Sequence, residues 1–189
     1  MARVIYENAL DSEKSISDFA LEGEAVISFP KGEMKMESSN ESVLWCKPPF
    51  PADVRIDWEF KPLTDEGSAE LHFAAKNAGE IQEFILSYYR RITEDDRAFH
   101  TCGLYKNSWD NLVYRGADPL PAGSSDLVWY PMSVVKRSKD VYFGINNMEI
   151  LHFHDDGLTM GEILTGGNIG FGQYQGTKAM YRNLKVTWI

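Results

Sequence analysis

The sequence predicts an all-β fold, a jelly-roll sandwich of two antiparallel sheets, built as a single domain over residues 1–189. Three observations carry this. Apolar residues recur with a period of two rather than 3.6. Aromatic residues make up 13% of the chain, which suits pleated, half-buried surfaces better than helices. Turn signals recur at short intervals, and only SEKSISDFA has room for a single helical turn. A hydrophobic fraction of 43% in 189 residues is enough for one substantial core, and no linker divides the chain.

The elements follow in order. In DVRIDWEFKP, Val54, Ile56, Trp58 and Phe60 alternate with Arg55, Asp57 and Glu59, so the segment is a strand with one wet face. AELHFAA repeats the pattern, with Leu71 and Phe73 on one side and Glu70 and His72 on the other. EFILSYYRR starts apolar and ends polar, which predicts a strand running from the core to an open rim. RITEDDRAFH, residues 91–100, is a short polar connection that should pair the strand before it with the strand after it. GADPLPAGSSD carries Gly116, Pro119, Pro121 and Gly123 and reads as a loop, because proline cannot donate to a central ladder. Three short strands are predicted in YPMSVVKRSKDVYFGINNMEILHFHDDG, with turns at RSKD and at Asn146-Asn147, since asparagine tolerates positive φ. The ending NIGFGQYQGTKAMYRNLKVTWI supplies two more strands around a Gly-rich turn.

Charge narrows the function. A net charge of −9 and a pI near 4.9 leave no broad basic surface, so neither nucleic acid nor an anionic membrane is an expected partner. The start MARVIYENALDSEKS lacks an apolar segment long enough for a signal peptide, and no run approaches a membrane span of roughly 20 residues. A soluble, cytoplasmic protein is expected. Cys46 and Cys102 are too few for a disulfide framework and lack zinc-site spacing, so reduced buried thiols are expected. No cofactor is expected. Oligomeric state stays open, because exposed sheet edges can pair.

One stretch departs from the acidic background. In FILSYYRRITEDDRAFHTCGLYKN, residues 84–107, the acids Glu94, Asp95 and Asp96 sit together in the middle while the flanks are basic and aromatic. The runs LSYYRR, RAFHTC, GADPLP, DDG and GNIGFGQ followed by KAMYRNLKV, in this order, closely resemble the YesU-like family, over nearly the whole chain from Trp45 onward. That resemblance implies the concanavalin A-like lectin and glucanase type of jelly roll, and a carbohydrate-handling protein of a family often encoded beside pectin-degradation genes. The chain departs from the family pattern in a shorter segment between FAAKNAG and EFILSYY. It departs again at Glu70, His72, His100 and Tyr105, where apolar residues or arginine would be expected.

Candidate site residues follow. Arg90, Arg91, Lys106 and Arg115 lie on strands or strand ends that the hairpin brings together, and the arginine fork suits a carboxylate such as that of a uronic acid. Tyr88, Tyr89 and Tyr105 offer rings of the kind that stack on sugar faces. The competing reading is a set of solvated edge charges. A one-residue slip of register would exchange Tyr88 and Arg90 for Tyr89 and Arg91 on the groove face. Glu70 and His72 at i and i+2 share a face and form a candidate base with an orienting carboxylate, and His100 on a neighbouring strand is a second candidate. The bland alternative for each is a partly buried histidine satisfied by one hydrogen bond. His152 and His154 share a face but have no third ligand nearby, so no metal is expected.

Glucanases of the superfamily place paired carboxylates on one strand as Glu-x-Asp-x-Glu. This chain has no such motif, and Asp57-Trp58-Glu59 is a poor substitute. Gly-x-Ser-x-Gly and a phosphate-binding glycine loop are also missing. The expected partner is therefore an acidic, uronate-containing oligosaccharide. It would be cleaved by β-elimination, with an arginine neutralising the carboxylate, His72 or His100 as base and Tyr88 as acid. The alternatives are a sugar-binding or auxiliary module without turnover, a glycoside hydrolase, and a purely structural role.

Overall fold

Alternation decides which way each strand faces, and β6 (Val54–Pro62) realises it directly: Val54, Ile56, Trp58, Phe60 and Pro62 are buried while Arg55, Asp57, Glu59 and Lys61 are not. The computed structural model describes residues 2–76, 82–91, 101–117 and 128–189, with backbone alone at Arg90, Arg91, Thr101 and Ala117. Along the chain the other strands are β1 (Arg3–Asn8), β2 (Phe19–Gly23), β3 (Val26–Ser28), β4 (Met34–Glu37) and β5 (Ser42–Phe50). After β6 come β7 (Gly67–Ala75), β8 (Phe84–Arg91), β9 (Thr101–Lys106) and β10 (Leu112–Ala117). The last five are β11 (Tyr130–Arg137), β12 (Asp140–Ile145), β13 (Met148–His154), β14 (Gly167–Tyr174) and β15 (Lys178–Trp188).

They form two antiparallel sheets. One runs β13-β12-β11-β6-β15-β4-β3, with β1 also pairing β15, and the other runs β10-β9-β8-β7-β14-β5-β2. The expected hairpin is present, with Phe84 to Ser87 paired against Lys106 to Gly103. Both Asn146 and Asn147 take positive φ, at 52° and 62°, in the turn between β12 and β13. β14 and β15 do follow each other, but they belong to different sheets, so their Gly-rich turn carries the chain across the sandwich. Of the expected loop GADPLPAGSSD, Gly116 and Ala117 instead end strand β10, where their backbone pairs with Cys102 and Thr101, and the rest lies outside the described residues. No helix among the described residues is long and apolar enough to cross a membrane.

The core lies between the sheets and is aromatic. Trp58 and Phe60 from β6 meet Tyr88, Tyr89, Phe171 and Tyr181, with ring centroids 5.1–6.3 Å apart and tilted or edge-to-face. Each such pair contributes about 0.5–1.5 kcal/mol beyond the area it buries. Cys46 and Cys102 are free and buried, and burial pushes the Cys46 thiol up to about 11, so it stays protonated and unreactive at neutral pH.

Neither tyrosine expected at the groove reaches it. In the β7–β8 pairing Ala69 faces Tyr89 but the next residue, Glu70, faces Ser87, so Tyr88 is an extra residue in β8. This bulge breaks the alternation. Tyr88 and Tyr89 both turn into the core, each 0% exposed, and neither ring reaches the outer face. Ser87 takes the outward position that either tyrosine was expected to hold.

Candidate functional site

The outer face of the seven-stranded sheet carries two adjoining hollows of about 370 and 690 Å3, both within the usual size range of ligand pockets. Their floor is β7. Ala69, Leu71 and Phe73 point into the core, which sends Ser68, Glu70 and His72 outward along one line. Glycines on the neighbouring strand make room for them. A methyl group at Gly172 would lie 2.8 Å from His72 Nε2 and 2.9 Å from Glu70 Oε2, and one at Gly170 would lie 2.8 Å from the Trp45 ring. Side chains from both flanking strands therefore lie flat across β14.

Glu70 and His72 are each only 4% exposed, so their polar atoms must find partners. Ser68 Oγ donates to Glu70 Oε1. His72 Nδ1 donates to Glu83 Oε2 at 2.9 Å. Its Nε2 faces Glu70 Oε2 at 3.9 Å, too far for a hydrogen bond, and has no partner. Burial alone would lower the His72 pKa, but the carboxylates of Glu70 and Glu83 outweigh it and hold the ring protonated up to about 9. This reverses the expected role. A base must be neutral, whereas His72 near neutral pH is a cation whose buried Nε2–H has no hydrogen-bond partner.

Aromatic residues wall the groove. Tyr105 lines it, and its ring lies 4.8 Å from that of Trp109, which is 40% exposed in the turn between β9 and β10. On the far side Trp45 meets His72 edge-on at 5.3 Å and donates its indole N–H to Glu22 at 2.7 Å. The carboxylates of Glu22, Glu41, Glu70, Glu83 and Asp110 line the two hollows, against His72 as the one cation among the described lining residues.

The sequence-based candidates divide accordingly. Glu70, His72 and Tyr105 come together in the groove. Tyr88 and Tyr89 belong to the core. Burial pushes the Tyr88 hydroxyl well above its ordinary value, and Tyr89 donates to the Thr64 carbonyl, so neither is available as an acid or a stacking platform. Lys106 is also withdrawn. It is 0% exposed, and its ammonium meets Asp155 at 2.8 Å and donates to the Gly161 carbonyl at 3.0 Å, pinning the segment after β13. The reason is register: Lys106 pairs with Phe84, whose side chain is in the core. Arg115 is exposed on β10 opposite Gly103 and is not among the groove-lining residues. Arg90 and Arg91 end β8 opposite Ser68 and Gly67, but their side chains, and all of His100, lie outside the described residues. His152 and His154, in the other sheet, each sit 3.0 Å from the same Asp140 oxygen and hold that carboxyl below its usual range. Among the described residues no group of three or more His, Cys, Asp or Glu is arranged to hold a metal ion.

Sequence reasoning missed Trp45, Glu83 and Trp109. A large aromatic in the polar turn KNSWDN was the available signal for Trp109, since a turn rarely needs an indole for packing. Glu83 had none, because nothing local ties it to His72.

Residues 3–80 and 76–186 match the family described as a domain of unknown function, DUF1961. The chain is 34% identical to "Uncharacterized protein YesU" of Bacillus subtilis (strain 168), over 96% of this chain and 94% of that protein. A crystal structure of a B. subtilis protein of unknown function with a galectin-like fold superimposes with a TM-score of 0.90 at 33% identity, covering 97% of this chain and 95% of the other. The carbohydrate-binding module CBM66 from B. subtilis matches with a TM-score of 0.66 at 9% identity, over 88% and 93%, and so shares the fold. The protein belongs to the DUF1961 family, the YesU-like branch of the concanavalin A-like lectin and glucanase fold.

Proposed function

We propose that the protein binds a saccharide in the groove on the outer face of its seven-stranded sheet. One observation carries this reading: an exposed indole, Trp109, stands beside a polar floor in which the buried Nε2 of His72 has no partner. Sugars present apolar C–H faces and directional hydroxyls together. An aromatic wall meets the first and a carboxylate-lined floor the second. The shared fold with a carbohydrate-binding module supports the reading by analogy alone.

Calorimetric titration of a broad oligosaccharide panel tests it, with wild type and Trp109→Ala side by side. Binding of at least one saccharide, weakened in the variant, supports the proposal. Silence across the panel would sink it.

Cleavage of a uronate-containing saccharide by β-elimination draws less support. It needs a neutral base and an acid at the groove, but His72 is held as a cation, Tyr88 is in the core and Lys106 is engaged with Asp155. The side chains of Arg90 and Arg91 and the second candidate base, His100, lie outside the described residues. A rise in absorbance from unsaturated product on oligouronides would restore the elimination reading. Hydrolysis is the second reading, favoured by the Nε2–H of His72 standing beside the carboxylate of Glu70. Release of reducing ends from the same panel tests that.

A further inference from the structure

Resting on the saccharide-binding reading, we infer that the groove takes an uncharged saccharide and that one ligand hydroxyl seats between His72 Nε2 and Glu70 Oε2. It accepts a hydrogen bond from the imidazole and donates one to the carboxylate.

The two atoms stand 3.9 Å apart. They are too far apart to satisfy each other, yet close enough for one oxygen to reach both. At roughly 2.8 Å from each, that oxygen subtends about a right angle, a geometry that sp3 oxygen accepts. The chemistry of the pair selects the group. A hydroxyl both donates and accepts. A ligand carboxylate has no proton for Glu70, and an ammonium has no lone pair for His72.

The seat is held in place beforehand. Ser68 fixes the other oxygen of Glu70, Glu83 fixes the other nitrogen of His72, and Gly172 leaves both side chains room beneath. Nε2 is enclosed and unsatisfied, so a group that completes it removes a desolvation cost already incurred in the empty protein.

Charge argues for the same class. Five carboxylates line the hollows, and Glu22, Glu41 and Asp110 have no cation opposite them among the described lining residues. A uronate in the same space meets like charge on several sides. A neutral sugar uses those carboxylates as hydroxyl acceptors. This departs from the expectation, drawn from the basic stretch 84–107, that the ligand is acidic.

The test uses three ligand sets at neutral pH: neutral oligosaccharides, oligouronides and deacetylated amino-sugar oligomers. Each is titrated into wild type, His72→Phe and Glu70→Met, with thermal unfolding as a check on folding. The expected result is binding of a neutral saccharide, weakened tenfold or more by either substitution. Single-deoxy forms of that saccharide should include one that weakens wild-type binding as much. If a variant fails to fold, the deoxy series on the wild-type protein carries the test. Preference for oligouronides or amino sugars would overturn the inference and leave saccharide binding standing. Neutral binding that ignores both substitutions and every deoxy change would overturn the seat. Failure of all three sets to bind would remove the underlying saccharide reading as well.

Discussion

His72 is bonded to one carboxylate and faces another without touching it: Nδ1 lies 2.9 Å from Glu83 and Nε2 lies 3.9 Å from Glu70. The asymmetry fixes the ring by one nitrogen and leaves the other, enclosed beside the groove, without a hydrogen-bond partner. It also keeps the ring charged, because two carboxylates outweigh the cost of burial.

The first expectation is a titration. Histidine ring resonances should report one group, His72, with a pKa near 9 rather than the ordinary 6.5. A folded-state pKa raised in this way stabilises the protein fully below about 6.5, and the contribution is lost as pH rises through about 9. Unfolding midpoints of wild type should therefore fall toward those of His72→Phe over that window. Glu83→Gln should lower the His72 pKa, and an unchanged value would contradict the assigned pairing.

Tyr88 separates a core residue from a catalytic one. Tyr88→Phe should keep the fold and leave saccharide affinity within about twofold. Tyr88→Ala should cost about 3–5 kcal/mol in chemical denaturation, the usual result of emptying an aromatic site in a packed core. A large loss of function in Tyr88→Phe at unchanged stability would return the hydroxyl to the site.

Lys106 and Asp155 make a buried pair, so removing one partner strands the other. Lys106→Met should destabilise by about 3–5 kcal/mol, and the double variant Lys106→Met with Asp155→Leu should recover most of it. Equal stability of the single and double variants would show that the pair carries no such coupling.

Gly172 lets Glu70 and His72 lie across β14, and Gly172→Ala would push a methyl group into both. Saccharide affinity should fall about tenfold or more, a loss of roughly 1.4 kcal/mol or more. The pKa of His72 should move as its carboxylates shift. Unaltered affinity would mean the ligand does not use this part of the floor.

Much of the architecture was legible because it is written in local alternation. The faces of β6 and β7, and hence the outward direction of Glu70 and His72, follow from Val54 to Phe60 and from Leu71 and Phe73 alone. The Asn146-Asn147 turn follows from residue chemistry. The bulge at Tyr88 does not, because period-two reasoning assumes no residue is inserted, and it sent into the core the one tyrosine that strict alternation after Ser87 would have left at the groove. Lys106 was misread for another reason. A lysine on a strand reads as exposed unless its partner is known, and Asp155 lies 49 residues away. Likewise the sequence of β14 and β15 allowed two strands and a turn, but not the crossing from one sheet to the other.

The central claim is the location of saccharide binding, and four of the five tryptophan indoles report on it directly. Trp45 and Trp109 line the groove, Trp58 is buried between the sheets, and Trp188 is exposed on β15 of the opposite sheet. A titration of the 15N-labelled protein with the saccharide that binds best should shift the Trp45 and Trp109 indole signals and leave those of Trp58 and Trp188 in place. Movement of Trp188 with Trp45 and Trp109 unmoved would contradict the account.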